Sequence, residues 1–356
     1  MMKRKLVSII GHFAFGRILL DGQTIKTKII SQELEKQIGE KDIIKIDTYG
    51  KKIIALIKAP FQCVSALLHS NNVIILPAHN GVRVFVPLLS LFKKIFRKRI
   101  IHYVIIGGWL PKLISNKPTL RKQLKSFDYI YAETNTVKQK LNNIGLNNVV
   151  VMQNFKNLKK VSKESKFINE SRPLRLCIFS RISQQKGIGD AIEAIKTINT
   201  NHGYTVYSLD IYGQIDADQI DWFNLQMNSF PDYIRYLGKI SFDESVSTIE
   251  GYFALLFPTR FFTEGVPGTI IDAYFSGVPV ICSKWESFHD VVDEGVTGMG
   301  YEFCNVKELI RLLESIMNKP KKVIDMRKMC IEKSKMFEPQ NAIQPLMLRL
   351  KSSGKL

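Results

Sequence analysis

Residues Phe257 to Cys282 read FPTRFFTEGVPGTIIDAYFSGVPVIC. The apolar run ending at Phe257 predicts a strand, Arg260 and Glu264 fall in an irregular loop, Gly265 to Gly268 form a tight turn, Gly268 to Ser276 has helical spacing, and Val278 to Cys282 is a second strand. Strand, turn, helix and strand make one unit of a parallel sheet, in which ligands collect where turns feed helix N-termini. This turn aims backbone N–H groups and the positive end of a helix at one point, which suits a diphosphate. Glu264 precedes the helix and Asp272 lies on its second turn, so both carboxylates can face one cleft as acceptors for ligand hydroxyls. By spacing alone, the same two residues also read as a loop charge and an exposed helix position.

Upstream, Phe179 to Ala194 reads FSRISQQKGIGDAIEA. Arg181 stands just past a strand and Lys186 just before a helix, at the strand ends where an anion would lie. Gly187 and Gly189 resemble half a dinucleotide fingerprint, but Ile192 occupies the third small position. Taken singly, each cation also fits a solvated surface charge. The alternation covers the rest of this half: strands at Thr205 to Tyr212, Ile234 to Leu237 and Ala254 to Phe257, and helices at Ile188 to Ile198, Phe242 to Glu250 and Val306 to Asn318.

The N-terminal half repeats the pattern, with strands at Leu6 to Ile10, Ile43 to Asp47, Asn72 to Leu76, Ile100 to Ile106, Tyr129 to Ala132 and Asn148 to Met152. Helical patterns cover Thr24 to Ile38 and follow Gly81, Pro118 and Thr136. Residues 156 to 173 lose apolar periodicity and read as a linker. The expected organisation is an α/β domain over 1–155, a linker, and a second α/β domain over 174–339. These are two doubly wound parallel-sheet, Rossmann-like domains facing a cleft.

The 356 residues are 45% apolar and 23% charged, which excludes a disordered or fibrous chain. The formal charge is +19, but residues 1 to 170 carry +20 and residues 171 to 356 carry −1. Such asymmetry bears on partners: an anionic membrane, a nucleic acid or a phosphorylated ligand. Val84 to Ile100, VFVPLLSLFKKIFRKRI, is a basic amphipathic segment that suits an anionic membrane surface and equally a core-facing helix with a solvated end. No apolar stretch approaches the length needed to cross a bilayer, and His12 and Arg17 interrupt the N-terminal one, so neither a transmembrane helix nor a signal peptide is expected. Five widely spaced cysteines without a CxxC pair argue against a disulfide framework or a structural zinc site, and read as reduced thiols in a cytosol.

Taken together, these stretches resemble the family 4 glycosyltransferases of the GT-B fold. FSRISQQKGIGDAIEAI looks like that family's arginine, lysine-glycine and amphipathic-helix segment, and EGVPGTIIDAYFSGVPVI resembles its signature of two acids with seven residues between them, followed by a strand. Tyr212 and Gly213, LGKIS at Leu237 to Ser241, and WESFHDVVDEGVTG at Trp285 to Gly298 agree in order and spacing. In the first half only DGQTIKTKIISQEL, Asp21 to Leu34, resembles the family's glycine-rich loop and first helix.

The resemblance implies that Arg181 and Lys186 neutralise the donor diphosphate and that Glu264 touches the transferred sugar. The turn Gly265, Val266, Pro267, Gly268 and Thr269 would hold sugar and phosphates, Asp272 the ribose hydroxyls, and Lys239 and Ile240 would flank the base. Asp272 departs from the family, which has Glu there. Gly22 would approach the donor phosphates, unless it is an ordinary helix start capped by Asp21. His79, Asn80, Gly107, Gly108 and Trp109 are weaker acceptor-side candidates at strand ends, and His102 reads as structural. The implied enzyme is a retaining hexosyltransferase without metal or other cofactor. It would move a sugar from a nucleotide-sugar donor to a glycan or lipid-linked acceptor in bacterial capsule, lipopolysaccharide O-antigen or exopolysaccharide assembly, as a cytoplasmic protein peripheral to the inner membrane face. The last helix, Asn341 to Lys351, would return to the first domain. Asp216, Ala217 and Asp218 form a DxD pattern, which a metal-dependent transferase would use. A nucleotide-sugar epimerase and a basic nucleic-acid-binding protein are the rival readings, although no nucleic-acid module is present.

Overall fold

The computed structural model describes residues 4–17, 19, 21–161 and 171–352, which fall into two compact units. The first comprises residues up to Asn154 together with those from Pro339 onward, and the second runs from Phe155 to Glu338.

In the first unit the strands are β1 (Lys5–Gly11), β2 (Ile43–Asp47), β3 (Ser70–Ile75), β4 (Ile100–Val104), β5 (Tyr129–Ala132) and β6 (Val149–Val151). Its helices are α1 (Gly22–Ile38), α2 (Lys52–His69), α3 (His79–Lys93), α4 (Leu110–Ile114), α5 (Pro118–Leu124) and α6 (Asn135–Asn143). The second unit has β7 (Leu174–Phe179), β8 (Tyr207–Tyr212), β9 (Ile234–Tyr236), β10 (Ala254–Phe257), β11 (Val280–Ser283) and β12 (Gly298–Tyr301). Its helices are α7 (Ile188–His202), α8 (Ile220–Met227), α9 (Ser245–Ile249), α10 (Gly268–Phe275), α11 (Phe288–Val291), α12 (Val306–Asn318), α13 (Lys321–Ile324) and α14 (Arg327–Ser334). Two last helices, α15 (Pro339–Ala342) and α16 (Gln344–Ser352), group with the first unit, where the Arg349 guanidinium lies 5.2 Å over the Tyr129 ring.

Both sheets are six-stranded and parallel, in the orders β2-β1-β3-β4-β5-β6 and β12-β11-β10-β7-β8-β9. Helices cover both faces, so the central strands are apolar almost throughout; in β1 every side chain after Lys5 is buried. Strand order reverses between β1 and β3 in the first sheet and between β7 and β10 in the second. These switch points leave a crevice at the carboxyl ends of the flanking strands.

The predicted strands match these to within a residue or two at their ends. Two elements differ. β12 contains two glycines, and a Cβ on Gly298 would lie 2.4 Å from the Val280 carbonyl oxygen, so close backbone packing replaces the usual β-branched signal. α2, absent from the expected elements, is apolar over most of its circumference, with its polar residues Lys58, Gln62, Ser65 and His69 confined to one edge.

The segment assigned to a linker is also corrected in its first part. Lys156, Leu158 and Val161 pack in the second unit, with the Val161 amide donating to the Phe275 carbonyl; residues 162–170 lie outside the described residues. Most of the Val84–Ile100 segment is core, with Val86 and Leu89 fully buried and Val84, Leu88, Phe92 and Phe96 packed against that core.

Candidate functional site

At the switch point of the second sheet a cavity of about 530 Å³ opens among the loops that leave β7, β8 and β10. Its walls carry Arg181, Ser183, Lys186, Asp216, Asp218 and Glu264. Two of these cations are held by carboxylates. Arg181 donates to both oxygens of Asp216 at 3.2 and 3.1 Å, and Lys186 pairs with Glu264. The DxD aspartate Asp216 is thus the partner of Arg181. An anion entering here would compete with the carboxylates for cations already aimed at one space.

Backbone geometry brings the loops together. Gly187 caps α7 with φ of 68°, and a Cβ there would lie 1.7 Å from the Pro258 carbonyl oxygen; only glycine lets the loop after β10 approach so closely. The Arg260 amide donates to the Gln185 carbonyl at 2.9 Å, while the Arg260 guanidinium turns onto Asp190 of α7. Arg260 therefore ties the loop to α7 and does not line the cavity.

The turn before α10 is built from Gly265, Val266 and Pro267, all buried, with Pro267 as the N-terminal cap residue. Pro267 has no N–H, so the amides at the first two helical positions, Gly268 and Thr269, are those without a helical acceptor. The Thr269 hydroxyl is buried without a hydrogen-bond partner, a polar atom at the helix end suited to a ligand oxygen.

Asp272 is not the exposed helix position that its spacing also allows. It is 1% exposed, and both carboxylate oxygens accept from Lys156 Nζ, at 2.7 and 2.6 Å. Burial pushes its carboxyl above the ordinary value, against the pull of Lys156. The Lys156 chain also fills the space beside Gly268, where a Cβ would lie 3.0 Å from Lys156 Cε. Asp272 is therefore one half of a buried ion pair, and Lys156 is a cation at the N-terminus of α10 that sequence reasoning missed. It lay inside the segment assigned to the linker, and no pattern pairs residues so far apart in the chain. Lys239 is exposed and Ile240 half-buried in the loop after β9; neither is among the residues lining this cavity.

The first unit has its own cavity, about 540 Å³, at the switch point between β1 and β3. His79 and Asn80 line it, not as a strand end but as the first two residues of α3. Trp109 packs beside His79 with ring centroids 5.2 Å apart and the rings tilted by 57°; Gly107, with φ of 77°, and Gly108 precede it in the turn before α4. Gly22 opens α1, whose cap is Asp21 accepting from the Thr24 amide, and a Cβ on Gly22 would meet nothing within 4 Å. Sequence reasoning missed His12, which lines the cavity and whose Nδ1 lies 2.7 Å from Thr24 Oγ1; that hydroxyl in turn donates to Asp21 at 2.7 Å. Its signal was its place, directly after β1. His102 is fully buried between Tyr131 and Asn72, as its apolar strand suggested.

A family profile described as "Glycosyl transferases group 1" matches residues 159–337. Over 131 residues the chain is 24% identical to the amylovoran biosynthesis glycosyltransferase AmsK of Erwinia amylovora, a match covering 36% of this chain and 32% of that protein, so the aligned part spans about a third of the relative's length. Among solved structures, HepE of Anabaena in complex with UDP and glucose superposes with a TM-score of 0.72 at 13% identity, covering 98% of this chain and all of that one. The sucrose-phosphate synthase of Thermosynechococcus elongatus superposes with a TM-score of 0.73 at 13% identity, covering 99% of this chain and 100% of that chain. These likenesses establish the fold as GT-B, and the profile match, which covers half the chain and includes Arg181, Lys186, Glu264 and Asp272, establishes that the chain belongs to the glycosyl transferases group 1 family.

Proposed function

We propose that this protein transfers a sugar from a nucleotide-sugar donor, held by the second unit, to a glycan or lipid-linked acceptor bound by the first. The observation that carries this reading is the convergence of Arg181, Lys186 and Glu264 on one cavity at the switch point of the second sheet, with Glu264 four residues ahead of α10. Breaking the anomeric C–O bond leaves negative charge on the departing diphosphate. Two cations and a helix end stabilise that charge, the part a metal plays in other transferases, so we propose catalysis without one. The acceptor oxygen forms the new bond to the anomeric carbon and its proton passes to the leaving phosphate, which gives retention of configuration and needs no strong enzymic base.

In this reading Glu264 accepts a hydrogen bond from a hydroxyl of the transferred sugar and Thr269 Oγ1 bonds a donor oxygen; the Lys186–Glu264 pair in the cavity and the unpartnered Thr269 hydroxyl support these roles. The complexes of HepE with UDP and with UDP-glucose support a uridine nucleotide as the first donor class to try. The AmsK match supports polysaccharide biosynthesis, and we propose exopolysaccharide, capsule or O-antigen as its product class. We place the enzyme at the cytoplasmic face of the membrane, where such acceptors are built.

The test is a thermal-shift screen of UDP-, GDP- and ADP-sugars on the wild type and on Lys186→Ala. A donor should stabilise the wild type and not the variant; no stabilisation by any nucleotide sugar, or an equal response of the variant, overturns the assignment. Activity retained in excess EDTA, with an α-linked product from an α-linked donor, supports the mechanism; metal dependence or inversion refutes it. Conversion of the donor to its epimer in the absence of acceptor would favour the epimerase reading.

A further inference from the structure

Residues 48 to 127 contain fourteen Lys and Arg and not one Asp or Glu. The bounding carboxylates are turned inward. Asp47 accepts from the amides of Phe13, Ala14 and Phe15, and Asp128 pairs with Lys93 and accepts from the Ile101 amide. Inside this run lies α2. Its inner face, Ala59, Cys63, Ala66 and Leu67, is completely buried. Its outer face is as apolar as its inner one. Ile53, Ile57 and Phe61, four residues apart, are 73%, 64% and 74% exposed, and Ile54, Leu56 and Leu68 are exposed beside them. Lys58, Gln62, Ser65 and His69 form a narrow polar edge beside it, and a contiguous exposed apolar stripe of this kind marks an interaction surface.

Cations frame the stripe. Lys51 and Lys58 are exposed near its start, while at its far end Arg99 donates to the Leu67 carbonyl at 2.8 Å and Arg4 to that of Leu68 at 3.3 Å. α3 packs against α2, and at and beyond its end Leu91 and Ile95 are exposed among exposed Lys94, Arg97 and Lys98.

We propose that the outer face of α2 is a membrane-docking surface, with Ile53, Ile57 and Phe61 sunk among the lipid chains and Lys51, Lys58 and the cations after α3 resting on anionic headgroups. The charge pattern selects this occupant. An all-cationic frame around an apolar stripe complements anionic lipid, whereas two copies of it would repel. Docking stands independently of the transferase reading. Its consequence rests on that reading: Ala55 and Leu56 of the same helix line the first-unit cavity, so an acceptor anchored in the bilayer would meet the cavity at the membrane surface.

The full-length chain is sedimented with vesicles of phosphatidylglycerol and phosphatidylcholine, and with phosphatidylcholine alone, at low and high salt, without nucleotide sugar. Binding to the anionic vesicles should weaken with salt and fall by at least about tenfold in the double variant Ile57→Glu, Phe61→Glu. Lys58→Gln should cost about fivefold. Leu225→Glu, at a 70% exposed apolar position of α8 in the second unit, should bind as the wild type. In Phe61→Trp, the emission should shift to the blue on anionic vesicles and be quenched by brominated lipid. Failure of the wild type to bind anionic vesicles at low salt overturns the proposal. So does equal binding by the double variant, an unshifted Phe61→Trp emission on bound protein, or a wild-type dimer by light scattering that the double variant converts to monomer. A donor-binding failure in the thermal-shift screen would leave all of these results unchanged, so the two readings fail separately.

Discussion

Lys156 is the residue whose role depends most on its surroundings. With Asp272 it forms a largely buried pair at the N-terminus of α10, and removing the cation leaves a buried carboxylate whose charge is no longer neutralised, with the Ser245 hydrogen bond as remaining support. Lys156→Met should therefore cost about 3–5 kcal/mol of stability at neutral pH, read by urea unfolding. The loss should shrink in acid, because the raised carboxyl can then take up its proton; a loss independent of pH would mean that the pair is not what the variant disrupts. Lys186 is more exposed and paired across a cavity, so its contribution lies in binding. Lys186→Ala should lower kcat/KM by about 10²- to 10³-fold, as removal of one charge-stabilising donor does in comparable sites, with little change in Tm. A large fall in Tm with unchanged kcat/KM would make Lys186 structural.

At the scale of elements, the second-unit site is made by two loops that touch, and Gly187 permits the contact. Gly187→Ala places a methyl against the Pro258 carbonyl in a left-handed backbone. The expected cost exceeds about 1 kcal/mol, accompanied by weaker donor binding as the loops separate. A Gly187→Ala variant with wild-type unfolding and donor response would show that the loop after β10 is placed by other contacts. In the first unit the comparable element is α2, whose inner face is bound by the sheet and α3 while its outer face remains apolar and open.

For the molecule as a whole, buried ionisable groups shape the pH range of stability. Burial pushes His102 down to about 3, with Lys93 and Arg349 adding to the effect, so the ring stays neutral in the folded first unit. The unfolded chain protonates that histidine at its ordinary value of 6.5, so between pH 6.5 and about 3 the unfolded state binds the extra proton and stability falls as pH falls. The slope from this proton approaches about 1.4 kcal/mol per pH unit. His102→Gln should be less stable overall yet show a flatter fall of Tm in that window; an unchanged slope would assign the acid sensitivity to other groups.

The order of strands and helices, the two α/β units and the loop residues that line the second-unit cavity were all legible in the chain. Parallel strands buried on both faces must be continuous apolar runs, and the turn at Gly265 to Gly268 announces itself by its glycines and proline. Arg181, Lys186 and Glu264 could be picked out for the same local reason, since each stands at a strand end or helix start that sequence reveals. The pairing of Asp272 with Lys156, the relay from His12 through Thr24 to Asp21, and the exposure of α2 could not. Burial and ion pairing join residues distant along the chain, and an apolar helix has the same sequence whether both of its faces are covered or only one. Sequence by itself determined the fold and the charges at the strand ends, because those follow from local patterns of side-chain size and charge; which of those charges are spent on each other, and which apolar face remains uncovered, was decided only when the sheets brought distant residues together.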